Sequence, residues 1–116
     1  MIHKSSVIDP KAIIEKNVKI GPFCFVGPNV ELKEGVELMS NVHIEGNTKI
    51  GKFTKLYPFS SIGTSPQDLK YKGEFNSLDI GEYNTVREYV TINPGTAGGG
   101  SKTVVGNNCL FMISSH

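Results

Sequence analysis

A chain of 116 residues has room for one domain, which excludes a two-domain reading. Twelve Lys and Arg against eleven Asp and Glu leave a net charge of +1, too little for nucleic-acid binding through a broad basic surface. No apolar run approaches the roughly 18 residues of a membrane span, and the opening MIHKSSVIDPKAII lacks the apolar stretch of a signal peptide, so a soluble, cytoplasmic protein is expected. Cys24 and Cys109 have neither metal-binding nor redox spacing, and in a reducing compartment both are expected as free thiols.

Read from its start, the chain has a period of six. Stepping from Ile2 gives Ile8, Ile14, Ile20, Val26, Leu32, Leu38, Ile44, Ile50, Leu56 and Ile62, without a break. Ile, Leu and Val make up 27 of the 116 residues. A run of eleven in any of six phases then has a chance probability below about one in a million. Four residues after each large position stands a small or β-branched one: Ser6, Ala12, Val18, Cys24, Val30, Val36, Val42, Thr48, Thr54 and Ser60. A helix needs apolar spacings of three and four, and an ordinary strand alternates over one short run; sixty residues of period six fit neither. They fit a coil of short strands joined by bends, each hexad sending one large side chain to a shared interior and a smaller one beside the corner. Glycine follows the large residue in IGPFCF, VGPNVE, IGKFTK and IGTSPQ, where a tight bend would favour it.

One buried Ile or Leu contributes about 1.5 to 3 kcal/mol, whereas ordering six residues costs about 1 to 2 kcal/mol each. A hexad therefore cannot fold alone, and stability has to come from stacking with backbone hydrogen bonds between coils. After Ile62 the period stops at TSPQDLKYKGEFNSLD and resumes with Ile80, Val86 and Ile92. A second break, GTAGGGSKT, shifts the phase by one residue before Val105 and Phe111. Both breaks are expected as loops thrown out from the stack, and in solenoids such insertions gather on one face and often form the binding site. The last coil is unfinished at His116 with no polar cap, so residues 1–116 are expected to be a single domain that is incomplete at its C-terminal end.

The pattern [Ile/Leu/Val]-Gly-x-x-[small]-x resembles the hexapeptide repeat of left-handed parallel β-helix proteins. That resemblance implies an all-β fold with three hexads per coil, about five coils and two protruding loops. QDLKYKGE in the first loop, VTINPGTAGGGSKTVVG and the closing MISSH together resemble the acyl-carrier-protein:UDP-N-acetylglucosamine O-acyltransferase family, which opens lipid A biosynthesis. The octapeptide is the more specific signal, since the repeats alone are shared by many acyltransferases and some non-catalytic proteins.

The resemblance implies a metal-free, cofactor-free reaction in a homotrimer with active sites between neighbouring prisms. A histidine takes the proton from the sugar 3-hydroxyl, which attacks the thioester of a 3-hydroxyacyl chain on acyl carrier protein. A positioned base is what an alcohol needs near neutral pH, and a backbone N–H can stabilise the oxyanion. Gln67, Asp68 and Lys70 are thereby placed in the loop lining the substrate and acyl-chain cleft, Asp68 to accept from sugar hydroxyls and Lys70 to offset negative charge. MISSH matches the first five positions of the family's Met-Ile-Asn-Ala-His-Ile-Ala-His. His116 is then the substrate-pocket histidine, and the general base is expected three residues beyond it. Pro94 stands where the family commonly has a basic residue.

Several residues carry weaker signals. His3 and His43 fall at non-interior positions and are expected to be exposed. Phe23, Phe25, Phe53, Phe59 and Tyr57 are expected on the outside or at corners, where solvent-facing aromatics suggest subunit contacts. Lys49, Lys52, Lys55, Lys70 and Lys72 form either a basic patch for an acidic carrier protein or scattered solvated charges. Two alternatives to the enzyme stand beside it: a non-catalytic trimerisation or scaffold module, and a carbonic anhydrase with zinc on three histidines shared between subunits, for which only His43 and His116 occupy comparable hexad positions.

Overall fold

The computed structural model describes residues 1–63, 77–93 and 102–112. Their fold is the expected left-handed parallel β-helix, a three-sided prism with five parallel strands on each face. The first face stacks β1 (Val7–Ile8), β4 (Phe25–Val26), β7 (His43–Ile44), β10 (Ser61–Ile62) and β13 (Thr91–Ile92). The second stacks β2 (Ile13–Ile14), β5 (Val30–Leu32), β8 (Asn47–Ile50), β11 (Ser77–Ile80) and β14 (Lys102–Val105). The third stacks β3 (Lys19–Ile20), β6 (Glu37–Leu38), β9 (Lys55–Leu56), β12 (Thr85–Val86) and β15 (Leu110–Phe111). Among the described residues no helix is long and apolar enough to cross a membrane.

The period of six becomes register at the level of packing. Ile8 pairs with Val26, Ile14 with Leu32 and Ile20 with Leu38, each 18 residues on, so every large residue stacks on the large residue of the next coil. From Ile20 to Ile62 all eight of these positions are at most 2% exposed. The first coil has a neighbour on one side only: Ile2 is 47% exposed, and Ile8 and Ile14 are partly buried against the core.

The small positions are as buried as the large ones, from Val18 at 3% to Thr54 at 0% exposure. Their polar members are all hydrogen-bonded, as burial requires. Thr54 Oγ1 donates to the Gly81 carbonyl at 3.0 Å and Ser60 Oγ to the Tyr57 carbonyl at 2.9 Å. At the equivalent Asn84, Nδ2 donates to the Gly106 carbonyl and Oδ1 accepts from the Cys109 N–H, which ties two coils together.

Of the four glycines that follow a large residue in these motifs, Gly21, Gly27 and Gly51 do not make the bends, contrary to the expectation from sequence, and only Gly63 has left-handed φ, at +77°. Gly21 and Gly51 have no left-handed φ; a Cβ at either would strike the backbone of the next coil, at Met39 and Gly81 respectively. Left-handed backbone falls two residues later, at Asn17, Phe23, Asn41, Phe53, Phe59, Tyr83, Tyr89 and Asn108, with φ between 54° and 65°. Gly21 and Gly51 thus serve close approach between coils, and the left-handed turns are made by Asn, Phe and Tyr together with Gly35, Gly46 and Gly63.

Those aromatics stand on two of the three corners. Phe59 stacks on Tyr89 at 5.4 Å where the third face turns into the first, and Phe53 stacks on Tyr83 at 5.5 Å where the second turns into the third. All four are between 45% and 62% exposed, and Phe23, on the first of these corners, is 67% exposed. This agrees with the outward placement expected of Phe23, Phe53 and Phe59.

Candidate functional site

The remaining corner, where the first face turns into the second, carries both insertions. The chain leaves it after β10 and again after β13, which are neighbours, and returns in β11 and β14, which are also neighbours. Register gives each insertion its size. The pairing interval rises from 18 to 30 between β7–β10 and β10–β13, two extra hexads, and is 25 between β12 and β15, seven residues more than one coil. The single-residue phase shift read from the sequence is the remainder of that seven. The insertions therefore arise on consecutive rungs of one corner.

The corner itself departs from the regular coil. β8, β11 and β14 have four residues each where most strands have two, and Asn47, Ser77 and Lys102 add one further rung on the insertion side. The bend before β8 uses Gly46, at φ +73°, and the chain leaves β10 through Gly63, at φ +77°.

On the first face, the outward column beside this corner is Phe25, His43, Ser61 and Thr91, and the next is Gly27, Glu45, Gly63 and Asn93. His43 Nε2 lies 3.0 Å from Glu45 Oε2, and the imidazole stacks on Phe25 with centroids 4.7 Å apart. Its orientation is held from two sides. The i, i+2 spacing on an outward strand edge was the sequence signal for this pair, which a search for lone histidines passes over. A hollow of about 290 Å³ lies against Phe25, Gly27, Pro28, Asn29, Glu45, Gly46 and Gly63.

The other two faces differ in charge. On the second, Lys33 bridges Glu31 and Glu15, the latter at 3.3 Å. Hydrogen bonds from Lys33 and from the Glu34 N–H hold the Glu15 carboxyl below its ordinary value, and the bonds to Glu31 and Glu15 raise Lys33. On the third, Arg87 lies over the Tyr57 ring at 4.3 Å and bonds Glu88, which raises the guanidinium and lowers the carboxyl. Among the described residues, Lys49, Lys52 and Lys55 do not gather into one patch. Lys49 and Lys52 share a hollow of about 480 Å³ with Glu15, Asp79 and Glu82, whereas Lys55 stands on the third face, 5.6 Å from the Tyr57 ring centre.

Gln67, Asp68, Lys70 and His116 lie outside the described residues, as do Pro94 and Lys72. Of the two described histidines, His3 is exposed and His43 is partly exposed within its pair. Among the described residues no three His, Cys, Asp or Glu side chains are grouped to hold a metal ion.

No family profile matches the chain. Among curated relatives, the acyl-[acyl-carrier-protein]–UDP-N-acetylglucosamine O-acyltransferase of Rickettsia peacockii is 54% identical over 115 residues, 99% of this chain and 44% of that protein. The protein of the same name from Thermodesulfovibrio yellowstonii is 47% identical over 115 residues. Among solved structures, a UDP-N-acetylglucosamine acyltransferase from Bacteroides fragilis superposes with a TM-score of 0.92 at 43% identity, covering 97% of this chain and 44% of that one. One from Acinetobacter baumannii superposes at 0.86 and 40% identity. The chain spans somewhat less than half the length of the curated relatives it matches.

Proposed function

The chain belongs to the acyl-carrier-protein:UDP-N-acetylglucosamine O-acyltransferase family, and from that premise we propose that it is the amino-terminal part of a cytoplasmic enzyme moving a 3-hydroxyacyl chain from acyl carrier protein to the 3-hydroxyl of UDP-N-acetylglucosamine. The observation that carries this reading is that the likeness runs through the repeats and both insertions alike, covering 99% of the chain. Repeats alone would support a scaffold equally well.

In this reading the loop-bearing corner is the wall of the substrate cleft. Gln67, Asp68 and Lys70 belong to the first insertion and meet the substrate and acyl chain, Asp68 accepting from sugar hydroxyls and Lys70 offsetting negative charge. His116 belongs to the substrate pocket in this reading, and the general base follows three residues later. Proton removal there makes the alcohol a competent nucleophile, and preorganised N–H groups stabilise the oxyanion that forms on the thioester carbonyl.

A homotrimer completes the cleft. It is supported by the exposed aromatic stacks on the two corners that carry no insertion, since rows of solvent-facing rings are characteristic of contact surfaces.

The test is acyl transfer by the full-length protein with UDP-N-acetylglucosamine and hydroxyacyl carrier protein as substrates. Turnover is expected from the full-length form and little or none from residues 1–116. Equal activity in the two would show that the base is wrongly assigned. Absence of transfer, together with absence of binding of either substrate, would leave the scaffold.

A further inference from the structure

Two glycines on successive coils interlock at the loop-bearing corner. Gly46, at φ +73°, lies beneath Gly63, at φ +77°, and a Cβ on Gly46 would stand 2.7 Å from the Gly63 carbonyl oxygen. A Cβ on Gly63 would in turn overlap the Glu45 carbonyl oxygen and Thr48 Oγ1. The Gly63 N–H donates to the Ile92 carbonyl at 2.7 Å, so the residue is held from the coil above as well as from the coil below. The seat underneath is rigid for a local reason. Thr48 is 2% exposed and its Oγ1 donates to the Glu45 carbonyl at 2.8 Å, which fixes the oxygen that Gly63 packs against.

We propose that Gly63, resting on the seat formed by Gly46, Thr48 and the Glu45 carbonyl, is a positioning residue for the acyl transfer, setting the point and direction in which the chain leaves β10 for the segment that holds Gln67, Asp68 and Lys70. The inference rests on the function proposed above. At Gly63, as at Gly46 beneath it, a side chain is excluded both by left-handed backbone and by atoms of the adjacent coil, and Gly63 is the one from which the chain leaves β10. Gly27 makes the contrast. It occupies the same column two coils earlier, has no left-handed φ, and a Cβ there would meet Glu45 Cα at an ordinary 3.4 Å. A displacement of about 1 Å in a substrate-positioning element can cost a hundredfold in rate.

The experiment compares Gly63→Ala, Gly27→Ala, Thr48→Ala and Thr48→Ser in the full-length protein, measuring kcat and KM for UDP-N-acetylglucosamine beside thermal unfolding. Gly63→Ala is expected to lower kcat/KM about 10- to 100-fold, mainly through KM, in protein that remains folded. Thr48→Ala should show a smaller loss in the same direction, restored by Thr48→Ser, and Gly27→Ala, whose Cβ has ordinary space, should lose clearly less than Gly63→Ala. Amide hydrogen exchange on residues 1–116 gives a readout independent of turnover: Gly63→Ala should alter exchange in 64–76 and leave β8 and β11 unchanged. If the parent enzyme transfers no acyl group, the proposed function fails and the exchange pattern still decides the seat. Folded Gly63→Ala that matches Gly27→Ala in both kcat/KM and exchange would overturn the inference.

Discussion

Phe59→Asn separates what an exposed aromatic does for its own chain from what it does for an assembly. Phe59 sits at φ +65°, a conformation that costs an ordinary L-residue roughly 1 to 2 kcal/mol and that Asn adopts more readily. Asn41, its neighbour one coil below, already does so at φ +54°. Against that gain stands the stack on Tyr89, about 0.5 to 1.5 kcal/mol, and the buried half of a ring that is 52% exposed, about another 1 kcal/mol. The terms nearly cancel, and the net loss in an isolated chain should not exceed about 1 kcal/mol, a shift of a few degrees in Tm. In a trimer that buries this corner the ring is no longer half exposed. Removing it should then cost at least about 1.4 kcal/mol per interface, a tenfold weaker association. Urea unfolding of residues 1–116 measures the first quantity and sedimentation of the full-length protein the second. A loss above about 2 kcal/mol in the isolated chain with association unchanged would refute the reasoning, because the ring would then be a structural element of its own coil.

Three further outcomes follow from the interior and the charged faces. Ile44→Ala, at a position 0% exposed between Val26 and Ile62, should destabilise residues 1–116 by about 2 to 5 kcal/mol in urea unfolding, far more than Ile2→Ala at 47% exposure. Glu15 and Glu88 have folded-state values below the ordinary carboxylate range, so the stability they add is present above about pH 4.5 and is lost as pH falls through their lowered values; unfolding midpoints across that window should drop less in Glu15→Gln than in the parent. Cys24 is 2% exposed and its thiol is pushed up by burial, whereas Cys109 is partly exposed, so a disulfide reagent should label Cys109 first and Cys24 only as the chain unfolds.

The sequence made most of this fold legible because a β-helix states its interior once per hexad. Ile20 to Ile62 keep their phase, and even the shift after the second insertion is countable in the sequence, since seven residues leave a remainder of one. What could not be read was which chemical demand each small residue meets. Gly21, Gly27, Gly51 and Gly63 all follow a large residue and look alike in the motif, yet the first and third are there for a neighbouring backbone, the second has ordinary space, and only the fourth combines contact with left-handed φ. Those distinctions depend on the residue one coil away, which is 18 positions distant in a regular coil and 30 across the first insertion. The His43–Glu45 pair was hidden for a different reason: His43 alone looks like a solvated surface residue, and its meaning comes from Glu45 on the same strand edge and Phe25 in the coil below.

The same logic explains why both insertions share one corner. An insertion preserves the stack only if the chain re-enters in register, so that large residues again meet large ones. Twelve extra residues do this within the hexad count, and seven do it with Val105 displaced by one position in sequence but aligned on Ile80 in space. The backbone can tolerate such excursions where its turn is already irregular, and this corner has the longer strands and two left-handed glycines, Gly46 and Gly63. Each of the other two corners carries one aromatic stack that joins two consecutive coils, Phe59 on Tyr89 and Phe53 on Tyr83, and an insertion between those coils would break the stack as well as the turn. Specialisation of the three corners therefore follows from packing: two keep a stacked aromatic pair across the coils that bear the insertions, which leaves the third as the corner where residues can be added without disturbing the core.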